Sequence, residues 1–133
     1  MALLWSPVWA QAKQPKVIKY IAPKYPPAAV ATGTKGEVII SVKIDNKGKV
    51  TQAKAESGHP LLRSSSEVIA KQWIFSSDNF NNEREIRITF AYFYKPNNDK
   101  KNNNKGSKTK IRFKKPYRLE ITVTTYPSIN FTF

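Results

Sequence analysis

Residues 57–75 read SGHPLLRSSSEVIAKQWIF and contain His59, the single histidine of the chain, just ahead of the serine triplet Ser64, Ser65 and Ser66. A histidine that takes a proton from a serine hydroxyl is the start of nucleophilic catalysis, provided a third group orients the imidazole. The sequence marks no such third group. A metal centre needs about three or four protein ligands, and the chain offers no cysteine and no second histidine. The carboxylates are scattered over turns and outward strand positions, with no pair spaced for acid–base work. The glycines at 33, 36, 48, 58 and 106 form no loop that could cradle phosphate. The expectation is no enzyme, no catalytic residue, no metal and no cofactor. His59, between Gly58 and Pro60, reads as a helix-entry residue, and the serines as the small-residue side of a helix.

The elements that carry this stretch can be read from periodicity. Pro60 suits the first turn of a helix, and Leu62, Ser66, Ile69 and Trp73 recur at helical spacing, with Leu61 and Val68 widening the stripe over 60–73. Upstream, Pro23, Pro26 and Pro27 keep residues 21–27 extended, and a short helix through AAVAT is closed by Gly33. Residues 37–45 alternate, Val38, Ile40, Val42 and Ile44 against Glu37, Ser41, Lys43 and Asp45, which predicts a half-buried strand. The turn DNKGK then leads into a weaker strand, VTQAKAES. Residues 84–94 form the strongest strand, with Ile86, Ile88, Phe90, Tyr92 and Tyr94 on one side. A hairpin followed by a helix and a third strand is a split β-α-β arrangement. The fold class is α+β: a small antiparallel sheet, two helices on one face, and extra C-terminal strands. The third strand is expected beside the first and parallel to the second, as an open edge in a bare three-stranded version.

The domain reading is a signal-like segment at 1–12, a short linker at 13–21, a core domain at 22–94, an Asn/Lys-rich flexible loop at 95–107 and a β-rich extension at 108–133. MALLWSPVWAQA is apolar and ends in an A-x-A pattern, although no basic region precedes it. It reads as the end of a signal peptide, which implies export to the periplasm. No stretch approaches the roughly 20 apolar residues that span a bilayer. The extension is expected to hold a hairpin turning at Lys115-Pro116-Tyr117 and a short last strand, INFTF. That ending resembles an outer-membrane barrel strand, but the chain has too few strands for a barrel.

The 23 basic and 9 acidic residues give a net charge of +14. Such a chain is drawn to polyanions. One alternative function is therefore a cell-envelope scaffold holding peptidoglycan or an anionic surface, and another is a basic nucleic-acid-binding domain. Most aromatics of 84–94 share the face that must cover the helix, leaving KIRFKK with Phe113 as the best basic stripe. Nucleic acid is accordingly not the expected partner.

Taken in order, Tyr25-Pro26-Pro27-Ala28, Gly33 and Gly36 before a strand, the Asp45–Gly48 turn, Ser57-Gly58-His59-Pro60-Leu61-Leu62, Trp73-Ile74-Phe75 and the aromatic strand 84–94 resemble the TonB C-terminal domain family. The resemblance covers residues 22–94. It implies a non-catalytic periplasmic domain linked to TonB-dependent transport, which captures an extended segment of an outer-membrane receptor or other envelope protein by strand addition. Carried over by position, the peptide-binding residues are Tyr25, Pro26, Arg84, Ile86, Arg87, Ile88, Thr89, Phe90 and Ala91. Trp73 and Phe75 become core residues and His59 a turn residue. Edge pairing would also allow a homodimer. Residues 108–133 exceed the family's minimal domain, and their strands could fold back to occupy the capture edge.

Overall fold

The computed structural model describes residues 14–77, 84–96 and 108–125. The signal-like segment, most of the Asn/Lys-rich loop and the INFTF strand lie outside the described residues. Along the chain run β1 (Val17–Lys19), α1 (Pro27–Thr32), β2 (Gly36–Ile44), β3 (Val50–Ser57), α2 (Pro60–Ala70), β4 (Ile74–Phe75), β5 (Arg84–Pro96), β6 (Lys108–Lys114) and β7 (Arg118–Thr125).

Local chemistry sets the boundaries. Pro27 opens α1, where its missing N–H costs nothing. Gly33 ends that helix in the left-handed region at φ 65°, its N–H turned back to the Val30 carbonyl at 3.1 Å. The β2–β3 turn is built by Asp45, whose carboxylate accepts the N–H groups of Lys47 and Lys49, each at 2.9 Å. Gly48 completes it at φ 85°. A Cβ there would fall 1.9 Å from the Phe75 carbonyl oxygen, so this turn can seat against β4 only without a side chain. At α2, the His59 Nδ1 accepts the Leu61 N–H at 3.1 Å and caps the helix.

The main sheet has the order β3-β2-β5-β7-β6. β2 is antiparallel to β3 and to β5, so β5 lies beside the first hairpin strand and parallel to the second. β7 enters between β5 and β6, parallel to β5 and antiparallel to β6, which makes the sheet mixed at that one ladder. A separate ladder joins β1 to β4.

Alternation divides the sheet into two faces. Val38, Ile40, Val42, Ile88, Phe90, Tyr92, Leu119 and Ile121 are buried on one. Trp73 anchors that core, meeting Phe90 edge-on at 5.5 Å and donating its indole N–H to the Ile21 carbonyl at 2.9 Å. Each such large side chain contributes about 2–3 kcal/mol by leaving water.

Helix α2 is shorter than its periodicity predicts. It stops at Ala70, and Trp73 is buried from the turn that follows. Leu62, Ser66 and Ala70 face the sheet, one helical turn apart, while Leu61 and Val68 are exposed. The stripe is narrower than expected because α2 packs mainly on β2 and β3, with a lighter contact to α1 and a hydrogen bond between Ser66 and Tyr92 on β5. Ile74 and Phe75 leave the helix as β4, and residues 17–19, expected as linker, supply its partner.

Candidate functional site

The expected capture residues lie on β5 and on the segment just before α1. Tyr25 is buried, with its ring edge-on to Tyr92 at 5.3 Å and its hydroxyl donating to the Thr34 carbonyl. Tyr92 in turn meets Ser66 across 2.6 Å. The Ser66 hydroxyl gives its proton to the Leu62 carbonyl at 2.7 Å, so Tyr92 is the donor to Ser66. Burial raises the Tyr92 phenol above its usual pKa, with the Ser66 and Ser65 hydrogen bonds pulling the other way. Tyr25 is raised as well, by burial first and then by the neighbouring phenols of Tyr92 and Tyr94. These groups brace the core side of β5.

This network also accounts for the serines and the histidine. His59 spends Nδ1 on its helix cap, and Ser66 is engaged between α2 and β5. Among the described residues no group of three His, Cys, Asp or Glu could hold a metal ion.

Pro26 lines a different feature, an apolar groove bounded by Ile21, Leu61, Val68 and Ile69. The two residues of the Tyr25-Pro26 pair therefore serve two surfaces. Along β5, Ile88, Phe90 and Ala91 are buried, Ile86 and Thr89 are half-buried, and Arg87 is exposed beside Glu56 at 3.1 Å. Arg84 begins the strand opposite Ile44. What this strand can offer a partner is therefore mostly backbone.

Those backbone groups divide into two stretches. From Arg84 to Tyr92 one side of β5 is taken by β2. On the other side β7 pairs with Thr89–Pro96 in the register Thr89↔Arg118 to Pro96↔Thr125. The Thr89 N–H donates to the Tyr117 carbonyl at 2.9 Å, so Thr89 faces β7. Backbone groups alternate sides along a strand, so Arg87 and Glu85 point the same way as Thr89. No described strand pairs with residues 84–88 on that side. A surface cleft lined by Gln14, Glu85, Ile86, Arg87, Pro116 and Tyr117 runs along it.

β7 is held in place by charge as well as by its ladder. Arg118 reaches across β5 to Glu37 on β2 at 2.8 Å. It also meets Glu120 at 3.6 Å, and Glu120 meets Lys114 on β6 at 3.3 Å. The chain of ions crosses four strands, passing beside Ala91, which pairs with both Glu37 and Glu120. A small residue there leaves room for the Arg118 side chain. Glu37 first of all holds the Arg118 guanidinium above its usual pKa. Desolvation works against ionisation of Glu120, but Lys114 and Arg118 together outweigh it and hold its carboxyl below the usual value. The resemblance did not identify Arg118, Glu120 or Glu37 as site residues. The only sequence signal for them was opposite charge on outward positions of separate strands.

The family model described as Gram-negative bacterial TonB protein C-terminal matches residues 21–96. That span begins one residue before and ends two after the stretch delimited by the motifs. Two curated relatives, each called Protein TonB, come from two strains of Xanthomonas campestris pv. campestris. Each is 37% identical over 77 residues, covering 52% of this chain and 34% of the relative. The chain therefore spans about a third of the length of the curated relatives it matches.

Proposed function

The chain belongs to the TonB C-terminal family, and on that premise we propose that it is a non-catalytic periplasmic binding module working in TonB-dependent transport. Residues 22–94 carry the module, and it takes up an extended, TonB-box-like segment of an outer-membrane receptor as an added strand on β5. The observation that carries this reading is the side of β5 that faces β7. That side already accepts a parallel strand over Thr89–Pro96, and it continues through 84–88 without a described neighbour. An incoming segment would pair with the N–H and C=O groups of Glu85 and Arg87. It would then compete with the first residues of β7 for Thr89 and Ala91. Backbone bonds supply affinity in such an arrangement, and alternate side chains supply selectivity. Tyr25 acts from behind, bracing Tyr92, and Pro26 fixes the entry to α1.

Amide exchange with a synthetic receptor peptide tests this reading. The expected result is slowed exchange at Glu85 and Arg87, with Thr89 and Ala91 remaining protected as one partner replaces the other. Binding without any change on β5 would remove strand capture from consideration.

A second reading, a scaffold holding peptidoglycan or another anionic surface, is favoured by the basic face on which Lys95, Lys108, Lys110 and Arg112 lie. Binding of that kind weakens steeply as salt screens the charges, whereas strand addition responds little.

A further inference from the structure

The β6–β7 hairpin does more than cover part of β5, because it moves the outer edge of the sheet two strands away. The sheet now ends at β3 on one side and β6 on the other. The β3 side is partly closed: the Glu67 carboxylate on α2 accepts the Ala55 N–H at 3.1 Å, and Lys49, just before β3, bridges to Ile74. At β6 no described residue plays either role.

The side chains of β6 select what could pair there. Lys108, Lys110, Arg112 and Lys114 alternate on the face away from the core, opposite Thr124, Thr122, Glu120 and Arg118. Of these four cations only Lys114 has an acidic partner among the described residues. Glu120, the acid opposite Arg112, is occupied by Lys114 and Arg118. Lys95 extends the group, since both it and Lys108 pair with Thr124. On the other face Thr109, Ile111 and Phe113 alternate. Phe113 stacks on Tyr20 at 4.8 Å, and Ile111 is left 46% exposed.

Lysines on an edge strand are a common guard against self-pairing, because two copies would set cation against cation. The same arrangement does not repel an acidic strand. We propose that β6 is a docking edge for an acidic, extended segment of a partner protein, with acids at alternate positions and β-branched residues between them. Its acids would face Lys108, Lys110 and Arg112, its apolar residues would cover Ile111, and its backbone would continue the sheet. This goes beyond capture at β5: it uses another edge, another chemistry and residues outside 21–96.

The test uses the full chain and a capped synthetic peptide of about ten residues alternating Glu with Val and Thr. Amide exchange should slow along β6. The same peptide N-methylated at alternate amides should bind at least about tenfold more weakly, because its ladder bonds are gone. The double variant Lys108→Glu/Lys110→Glu should weaken binding by about tenfold or more. Both positions are exposed and face threonines, so its fold can be checked by its unchanged β5 exchange. Binding without protection at β6 would overturn the proposal, leaving simple attraction to a basic face. Absence of binding would overturn it too. Protection at Glu85 and Arg87 instead would refute the β6 edge while supporting capture on β5. Concentration-dependent self-association that protects β6 without peptide would assign the edge to a second copy and refute it.

Discussion

Tyr92 shows how much a single side chain does here, since it closes the core under Tyr25 and carries the hydrogen bond that ties β5 to α2. Replacing it with phenylalanine removes that bond but leaves Ser66 satisfied by Leu62. The expected cost at neutral pH is about 1 kcal/mol, read by chemical denaturation. The pH dependence has a definite sign. A phenol whose pKa is raised in the fold leaves stability intact below its unfolded value, and stability is lost as pH rises from there through the folded value. Burial raises both Tyr92 and Tyr25. Melting temperatures should therefore begin to fall near about pH 10, and Tyr92→Phe should make that fall shallower. An equally steep fall in the variant would mean that other groups control the alkaline limb.

At the scale of the element, β7 is the strand whose attachment can be loosened without touching the core. Arg118→Ala breaks the link to Glu37 and one of the two contacts of Glu120. Both pairs are partly open to water, which screens them, so a modest effect is expected. Amides on the β7 side of β5 (Thr89, Ala91, Phe93 and Lys95) should exchange several-fold faster, while those facing β2 stay unchanged. Uniform acceleration across β5 would show that Arg118 supports the whole sheet instead. The strands themselves were largely legible in the sequence. The alternation of Val38 to Ile44 and of Ile86 to Tyr94 identified β2 and β5, and VTQAKAES matches β3. The three residues of β1 and two of β4 are too few to display a period, so neither strand could be read from alternation. The place of β7 was legible only as an option. Period-two patterning says that a strand exists and which face is apolar, but the choice of neighbour is made by contacts far apart in sequence. The sites followed the same division. Tyr25 was named by resemblance alone, and its burial against Tyr92 and its bond to the Thr34 carbonyl belong to the fold. The role of Arg118 needed Glu37, 81 residues away, to come within reach.

The whole molecule carries +14, and its acids are few enough for each to matter. Glu120 ionises more readily than usual because Lys114 and Arg118 outweigh its desolvation. A depressed carboxyl contributes stability above its unfolded pKa and loses it as pH falls through the folded value. Stability should decline on acidification below the ordinary carboxylate range, and Glu120→Gln should flatten part of that decline. At neutral pH, by contrast, self-repulsion spread over the surface should outweigh the ion pairs among the described residues. Raising salt from about 0.01 to about 0.15 M should therefore raise the melting temperature, as screening shortens the reach of like charges. A fall would mean that the ion chain across the sheet outweighs the excess of lysines.

One small contact gives the module a mechanical property. The Tyr117 hydroxyl, at the tip of the β6–β7 hairpin, donates to the Pro15 carbonyl at 2.6 Å across 102 residues of sequence. Next to it, the Lys16 N–H reaches the Ser76 hydroxyl at 2.9 Å, and the Lys16 carbonyl accepts the Ser76 N–H at 2.8 Å. Tension entering from the N-terminal side meets these knots before it meets the β2–β3 hairpin. Part of that load passes to Tyr117, whose carbonyl is the first hydrogen-bond partner of Thr89. A tug on the leading end is thus delivered to the point where β7 joins β5, so pulling from that side would work as a ripcord for the strand that covers Thr89–Pro96.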